Sequence, residues 1–306
     1  MPEDSLRVIT PAEARSQINH FGRPLAVYMI LLMLLQFGSG FIYSRFPQFF
    51  SSWQKDTVTI AGMILICLTG LILFALSAAV LKLKNSTYLK PARLSIGRCL
   101  SLACIGTGIH LAVLTAVNMT GIFISNTDYE FFGKWNSREY LLANILYAVM
   151  FIIIRPVCEE YIFRGVIQRQ LGHYGRYFGV LASAFLYAIA HQDLIMVLPS
   201  FAFGWYLSQI TLKYHSIRPS IGVHMFMGLF YLIMEQIPDR YFAVTIVMII
   251  LVYFIAALGI MKQHMLLNMP RTGATEWKLW KILLTSHTII ICILLFIAEI
   301  ILTALL

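Results

Sequence analysis

Charged residues are scarce in this chain. Only 12% of its residues are Asp, Glu, Lys or Arg, whereas 59% are hydrophobic. A soluble protein would carry about 25% charged residues, so the composition excludes an ordinary soluble domain. The apolar residues instead run in blocks of about 20, which is long enough to cross ~30 Å of hydrocarbon. The sequence therefore predicts an all-α fold, a polytopic transmembrane helix bundle that forms a single integral membrane domain over residues 1–306.

Several chemical signatures are also missing. There is no HExxH zinc-protease helix, no GxSxG nucleophile and no CxxC pair. We see no internal repeat, so nothing indicates the two symmetric halves of many transporters. The cysteines stand singly in or beside apolar blocks, which excludes a disulfide framework, and we interpret them as small packing residues. They are Cys67, Cys99, Cys104, Cys158 and Cys292.

Nine apolar segments are candidate spans. Before them, residues 1–24 are polar and lack an apolar core, so we expect a cytosolic leader and no cleavable signal peptide. The fifth and seventh segments are short for a full crossing, and we therefore expect seven to nine spans, with eight or nine favoured. The segments are 25–43, 57–81, 99–123, 140–157, 177–191, 194–212, 220–235, 241–260 and 282–306.

The distribution of Lys and Arg predicts the orientation. With nine spans, 18 of the 23 Lys and Arg residues fall on the same side as the N-terminus. An excess of Lys and Arg marks the cytoplasmic side. We therefore expect a multi-pass protein of the plasma membrane with a cytosolic N-terminus. The net charge of +9 follows from this topology, and we expect no nucleic-acid partner.

Two adjacent carboxylates, Glu159 and Glu160, are the residues whose burial among membrane helices costs the most free energy. They follow an apolar run, and Arg164 comes four residues after Glu160. Residues four apart share a helix face, so Arg164 can pair with Glu160 and leave Glu159 to turn elsewhere. Pro156 removes a backbone donor and is expected to kink the helix before Glu159. An ionisable group among membrane helices is by default a functional-site hypothesis.

Two histidines can join this cluster. A turn signal at residues 172–176 predicts a helical hairpin that brings His191 within about 3 Å of the height of Glu159. His224 follows Arg218 and Pro219 closely and should lie near the inner leaflet. A span that starts at residue 177 on the inner surface would place His191 too deep to meet His224. Either the fourth and fifth helices extend into the cytosol, or the seventh span begins deeper in the protein. We prefer the first alternative. We expect the site in the bundle, near the cytosolic leaflet.

One glutamate and two histidines around a membrane cavity are the side chains that a hydrolase needs. A carboxylate can activate water as a general base, and imidazoles can polarise a carbonyl or hold a metal. Zinc or another divalent metal is therefore an open possibility, with Glu159, His191 and His224 as its candidate ligands. No cofactor is required by the sequence.

The stretches EEYIFRG, SAFLYAIAH and FAFGWYLSQITLKYHSIRPSIGVH stand in this order. They resemble the EExxxR, FxxxH and HxxxN or HxxxD motifs of the CAAX-protease and bacteriocin-processing family of intramembrane peptidases. The resemblance covers roughly residues 140–237, which we interpret as the catalytic core. It implies that Glu159 activates water, that Glu160 and Arg164 organise the motif, and that His191 and His224 bind the scissile carbonyl or a metal.

The chain departs from these motifs at two positions. Tyr187 stands where the second motif has Phe, which keeps the ring and adds a hydroxyl. Gly228 stands where the third motif has Asn or Asp, so a polar group one turn beyond His224 is missing. Loss of one oxyanion donor costs about 10²–10³ in rate. The protein could be a slower enzyme, recruit another polar side chain, or have lost catalysis.

The leading hypothesis is an intramembrane endopeptidase of a bacterial type that cleaves peptide precursors or membrane-anchored proteins. Bacteriocin immunity, peptide-signal processing and CAAX-type C-terminal processing are its candidate roles, and its partners are that substrate and the lipid bilayer. The alternatives are a catalytically impaired membrane scaffold and a transporter. Each site residue also has a structural interpretation, as an interfacial ion cluster or a helix-capping histidine. His110, His287 and Glu299 match no motif and are expected to form hydrogen bonds between helices.

Overall fold

The structure is a computed structural model. It describes residues 10–46, 48, 92, 94–119, 145, 148–263 and 275–305. Every regular element within those residues is a helix, and no strand occurs among them. The prediction of an all-α, polytopic bundle is therefore confirmed. The second predicted span, 57–81, and the first part of the fourth, residues 140–144, 146 and 147, lie outside the described residues.

The helices agree closely with the predicted spans in the second half of the chain. Ten α-helices occur in the described residues, and residues 150–172 also contain two π-helical segments. The α-helices are α1 Pro11–Arg45, α2 Ile96–Met119, α3 Arg155–Glu160, α4 Arg169–Gly172, α5 Arg176–Ala190, α6 Leu194–Tyr214, α7 Arg218–Gln236, α8 Phe242–Gln263, α9 Thr275–Leu284 and α10 His287–Leu305.

Four helical segments among the described residues are long and apolar enough to cross a membrane. They are Pro11–Leu35 of α1, Ile96–Met119, Leu194–Tyr214 and Phe242–Met261. A fifth is the pair α9 and α10, if both halves together make one span. The α5 helix is apolar but short, as its sequence predicts. The total of seven to nine spans stays a prediction, because the segment 57–81 and part of the segment 140–157 fall outside the described residues.

Both ends of the described chain differ from the sequence expectation. Helix α1 begins at Pro11, inside the predicted leader, and its first turns are buried through Ala14, Ile18 and Phe21. The last predicted span is broken, because α9 and α10 meet at an angle of 68°. Helix α1 packs along α10, where Asn19 accepts a hydrogen bond from the Thr288 hydroxyl at 3.0 Å. The leader residues thus contribute to the core through helix contacts.

Residues 150–172 form one continuous helical run, which we call the motif helix. It winds as a π-helix over Met150–Ile154, as α3, as a π-helix again over Tyr161–Gln168, and as α4. Pro156 lies at the first change of winding. It has no N–H to donate to the carbonyl four residues earlier, and its ring crowds that carbonyl, so an α ladder cannot continue through it. Such π segments recur at functional sites.

The predicted helical hairpin is present. Helix α4 ends at Gly172 and α5 begins at Arg176. The two arms touch at backbone level, because a Cβ atom on Gly179 would lie 2.6 Å from the Gly172 nitrogen and 2.9 Å from the Gln168 carbonyl oxygen. Helix α5 packs along α6, and α6 packs along α2, which also contacts α7 and α8. This packing brings the motif helix, α5, α6 and α7 around one centre.

The prediction that His110, Glu299 and His287 form hydrogen bonds between helices is confirmed only for His110. His110 makes the expected contact between helices, since its Nδ1 lies 2.6 Å from the Tyr231 hydroxyl of α7. Glu299 is fully buried, but neither carboxylate oxygen has a hydrogen-bond partner among the described residues. His287 is exposed at the start of α10. Cys99, Cys104, Cys158 and Cys292 are free thiols, as predicted, and Cys67 lies outside the described residues.

The close contact at Gly179 generates a stability prediction. Gly179→Ala should lower the free energy of unfolding by about 1–3 kcal/mol, because backbone atoms cannot move aside as a side chain can. Gly222→Ala is the matched control, since a Cβ atom there meets nothing within 4 Å and alanine favours a helix. Thermal unfolding of the two purified variants in the same detergent measures the difference. Equal midpoints for the two variants would contradict the described hairpin packing.

Candidate active site

Glu160 and Arg164 form an ion pair in the centre of the bundle. Both side chains are fully buried, and Arg164 Nη1 donates to Glu160 Oε1 at 3.0 Å. The spacing of four residues predicts this pair. Burial of two charges costs free energy that their attraction offsets only with good geometry and further hydrogen bonds. The surroundings of the pair supply part of those contacts, because Glu160 Oε2 and Arg164 Nε have no hydrogen-bond partner among the described residues.

Arg164, on the motif helix, contacts both α5 and α6. Its Nη2 donates to the Gly204 carbonyl oxygen of α6 at 2.9 Å, and its guanidinium lies 4.4 Å from the centre of the Tyr187 ring on α5. Position 204 requires glycine, because a Cβ atom there would lie 2.8 Å from the Tyr187 ring and 3.0 Å from Arg164 Nη2. The arginine therefore holds the motif helix at a set distance from α6. It also stabilises the negative charge of Glu160.

Glu159 turns away from this pair, as the sequence predicts, and meets a residue that the sequence analysis did not assign to the site. Arg155 Nε donates to Glu159 Oε1 at 2.5 Å. The signal was available, because Arg155 precedes Glu159 by four residues, the same spacing that pairs Glu160 with Arg164. The Arg155 side chain is 42% exposed. The Arg155 side chain therefore reaches from the buried Glu159 carboxylate to the surface of the bundle.

The second oxygen of Glu159 faces His224. Glu159 Oε2 is buried without a hydrogen-bond partner among the described residues and lies 3.8 Å from His224 Nε2. The other ring nitrogen, His224 Nδ1, lies 3.0 Å from Glu160 Oε1. A carboxylate only accepts, so Nδ1 carries the proton of this contact, and a neutral His224 then presents an Nε2 lone pair. The two glutamates thus orient His224 from both sides.

His191 caps the C-terminal end of α5 and is oriented by its own backbone. Its Nδ1 lies 2.8 Å from the Tyr187 carbonyl oxygen. That oxygen only accepts, so Nδ1 is the donor and Nε2 is left as an acceptor in the neutral ring. The His191 and Tyr187 rings are 4.5 Å apart edge to face. The Tyr187 hydroxyl, the group added relative to the second motif, lies 3.5 Å from His224 Nε2.

A cavity of about 60 Å³ opens between these groups. Both motif histidines line it, as do Arg155 and Tyr187. Glu159 is not among the lining residues, although its two partners Arg155 and His224 are. The remaining lining is largely apolar with a few hydroxyls and one further imidazole: His110, Phe151, Met196, Ser200, Met227, Gly228 and Tyr231. The cavity can hold a small polar group, such as water or a carbonyl, against an apolar wall.

Gly228 leaves one side of this cavity without the polar group of the third motif. A Cβ atom at this position would lie 3.3 Å from the Phe151 ring. The ring of Phe151 therefore occupies part of the space that a larger side chain would need. His110 and Tyr231, by contrast, bring polar atoms to the cavity. The sequence indicated only a contact between helices for His110 and nothing for Tyr231. Tyr231 lies seven residues after His224, which places both on one helix face and could have been noticed.

The described donor side chains are not grouped around a common point for a metal ion. No group of three or more His, Cys, Asp or Glu side chains in the described part of the chain is placed to hold a metal ion. Arg155 occupies one oxygen of Glu159, and Glu160 occupies one nitrogen of His224. That Glu159, His191 and His224 hold a divalent metal stays a prediction. The mechanism proposed for the protein uses no metal.

The central segment of the chain is similar to a known protein family. Residues 141–230 match the family model for type II CAAX prenyl endopeptidase Rce1-like proteins. The match covers just under a third of the chain and includes all three motifs, from Glu159 to Gly228. The resemblance inferred from the motifs is confirmed over this segment. Neither the curated proteins nor the solved structures contain a match to the chain.

The buried pair generates a double-mutant prediction. Arg164→Met should destabilise the protein by about 3–5 kcal/mol, because it leaves the charge of Glu160 buried without compensation. The double variant Glu160→Gln with Arg164→Met should cost less than the sum of the two single variants. Unfolding in detergent measures all three, with the exposed Arg176→Met as a control that should change little. Additive costs would contradict a coupled pair.

Proposed function

We propose that this membrane protein is an endopeptidase that hydrolyses a peptide bond near the cytosolic leaflet, with Glu159 as the base. Its Rce1-like segment supports membership of a group of CAAX-type intramembrane proteases. The single observation that carries the proposal is that residues from separate parts of the sequence come together in space. Three separate stretches of chain bring a carboxylate pair and two imidazoles together. Both imidazoles line one small cavity, and so does Arg155, the partner of Glu159.

The geometry between Glu159 and His224 supports a position for the attacking water. Glu159 Oε2 and the Nε2 of a neutral His224 are both acceptors, and their separation of 3.8 Å is too long for a direct hydrogen bond. A water molecule has two protons and can donate one to each acceptor. Glu159 then accepts a proton as the water oxygen bonds to the scissile carbonyl carbon.

The remaining steps complete the hydrolysis. The carbonyl oxygen becomes an oxyanion as the water adds, and it needs hydrogen-bond donors at that moment. Glu159 transfers its proton to the amide nitrogen, the carbon–nitrogen bond breaks, and the products are a carboxylic acid and an amine. Glu160 and Arg164 keep their charges throughout and hold His224 in the orientation that this sequence requires.

Arg155 determines when Glu159 can act in this scheme. In the described conformation it holds Oε1 of Glu159 and lines the cavity, so the base is covered from that side. Its side chain is partly exposed, which leaves it room to turn toward the outside of the bundle. A substrate that displaces the guanidinium would open Glu159 to the cavity. The contact thus protects an ionised carboxylate between turnovers.

The substrate class follows from the surroundings of the cavity. Met196, Met227 and Phe151 make an apolar wall, and the enclosing helices are those of a membrane protein. A peptide bond close to a lipid anchor or to an apolar C-terminus would fit this wall. CAAX-type C-terminal processing, maturation of a peptide signal and bacteriocin immunity are the roles that use such substrates. An N-terminus in the cytosol of a bacterial plasma membrane belongs to the same proposal.

A second candidate function is a catalytically impaired scaffold. The observation that favours it is Gly228, which lines the cavity without the polar group that the third motif carries there. Such a protein would bind a membrane partner or a peptide without cleaving it. Turnover that depends on Glu159 excludes this candidate. Absence of turnover in both the native protein and Gly228→Asn supports it.

Glu159→Gln is the variant that tests the proposed function. The glutamine keeps the shape but cannot accept the proton, so peptide cleavage should fall by about 10²–10⁴. The assay uses protein in lipid vesicles with a fluorescence-quenched peptide that carries a prenylated cysteine near its C-terminus, and the same peptide without the prenyl group. Mass spectrometry of the products locates the cleaved bond.

Glu299→Gln is the matched control. Glu299 is also a buried carboxylate in a membrane helix, but it does not line the cavity. This variant should cleave at the native rate. Native turnover in Glu159→Gln would refute Glu159 as the base, and equal loss in both variants would point to a general effect of buried carboxylates on folding.

A further inference from the structure

Arg155 brings a permanent positive charge to the cavity. It is the first residue of α3, at the point where the first π-helical segment ends, and it is the only Lys or Arg among the described residues that line the cavity. A guanidinium has five N–H donors and stays charged in proteins. Within the described part of the chain, Arg155 uses one of these donors on a protein acceptor, from Nε to Glu159 Oε1. Its other N–H groups can therefore serve a second acceptor.

Glu159 is the counterion of Arg155 only until it acts as the base. At rest the carboxylate and the guanidinium compensate each other across 2.5 Å. In the proposed hydrolysis Glu159 takes a proton from the attacking water and becomes neutral, while the carbonyl oxygen gains the negative charge. The net charge of the site does not change, but the anion moves from Glu159 to the substrate. Arg155 thus loses its partner at the moment when the oxyanion needs one.

Two separated charges would be costly in this cavity. Its wall includes Phe151, Met196 and Met227, and an unpaired charge is unfavourable in such apolar surroundings. The cavity is also small, about 60 Å³, so a carbonyl group that occupies it lies close to each lining side chain, Arg155 included. A short movement of the guanidinium from Glu159 to the carbonyl oxygen would pair the two charges again.

We propose that Arg155 is a catalytic residue, whose guanidinium leaves Glu159 as the water attacks and donates hydrogen bonds to the oxyanion of the scissile carbonyl. This role rests on the proposed peptidase function and adds the electrostatic part of its transition state. Arg155 keeps its protons throughout, and no covalent bond to it forms or breaks. When Glu159 gives its proton to the amide nitrogen, the oxyanion returns to a carbonyl and the carbon–nitrogen bond breaks. The Glu159 carboxylate then takes the guanidinium back.

Other groups near the cavity are less suited to this role. Arg164, the second cation after Pro156 on the motif helix, does not line the cavity and is held by Glu160 and the Gly204 carbonyl. The hydroxyls in the lining belong to Tyr187, Ser200 and Tyr231. They are uncharged, whereas hydrogen bonds between ionised groups are roughly twice as strong as those between neutral ones. Arg155 therefore supplies, from the motif helix, a stronger polar contact than any hydroxyl in the lining.

Steady-state kinetics of Arg155→Gln test this role, with the prenylated peptide as the probe. The variant should lower kcat by about 10²–10³ and leave KM near the native value, because the guanidinium meets the oxyanion only in the transition state. Arg155→Lys keeps a charge beside Glu159 but loses the planar fork of donors, so its kcat should lie between these two. If Arg155 only covered Glu159, both variants would turn over at least as fast as the native protein, and that result overturns the proposal.

Binding of a transition-state analogue gives an independent measurement. The same prenylated peptide with a phosphinate in place of the scissile amide carries a tetrahedral, anionic group that resembles the oxyanion. Its affinity should fall in Arg155→Gln by about the same factor as kcat/KM, because the enzyme is complementary to the transition state. Arg155→Lys provides the same comparison if Arg155→Gln does not fold. A fall in kcat with unchanged phosphinate affinity would overturn the proposal.

Arg218→Gln is the matched control. Arg218 is another exposed arginine, and it begins α7, the helix that carries His224, but it does not line the cavity. This variant should keep the native kcat and the native affinity for the phosphinate. If Arg218→Gln loses as much as Arg155→Gln, the effect is a general one of positive charge at the surface, and the role of Arg155 is overturned.

The outcomes separate this inference from the proposed function. Native turnover that depends on Glu159 but is unchanged or raised in Arg155→Gln overturns the role of Arg155 alone. No turnover in the native protein, or full turnover in Glu159→Gln, overturns the proposed function itself. Loss of kcat and of phosphinate affinity by the same factor in Arg155→Gln, with both retained in Arg218→Gln, supports the assignment of Arg155 to the transition state.

Discussion

The buried ion pair between Glu160 and Arg164 is the interaction on which the site depends. Arg164 bonds to α6 through the Gly204 carbonyl and lies against Tyr187 of α5, while Glu160 bonds to His224 of α7. Four helical segments therefore meet at two side chains. A charge at this depth is costly unless it is paired and hydrogen-bonded. The same contacts that offset this cost fix the helices at the distances that enclose the cavity.

Adjacent carboxylates acquire different roles because the helix directs them to different partners. Glu160 has a permanent cation beside it, and both are fully buried. Glu159 meets Arg155, whose side chain is partly exposed, and its second oxygen faces His224 across 3.8 Å. One carboxylate is thus fixed and the other can exchange partners. Two carboxylates in different environments commonly divide structural and chemical work in this way.

Much of this arrangement could be predicted from the sequence. Apolar blocks predicted the bundle, spacing predicted the Glu160–Arg164 pair, and the turn at residues 172–176 predicted the hairpin. The pairing of Arg155 with Glu159 was missed although its spacing of four residues indicates it. The place of His110 in the cavity lining was missed because a lone residue in an apolar block has no periodic signal to identify its partner on another helix. The early start of α1 at Pro11 was missed because its polar residues suggested a leader, while Ile18 and Phe21 make the helix contacts.

The central claim is that a water held by Glu159 attacks the peptide bond directly. Single-turnover cleavage in oxygen-18-labelled water tests it, with excess protein in vesicles and mass spectrometry of the released fragments. Direct attack predicts that the new carboxyl group carries one labelled oxygen in the first turnover. If a glutamate attacked the carbonyl instead, the first product could carry the unlabelled oxygen of that carboxylate. Unlabelled product in the first turnover would contradict the account.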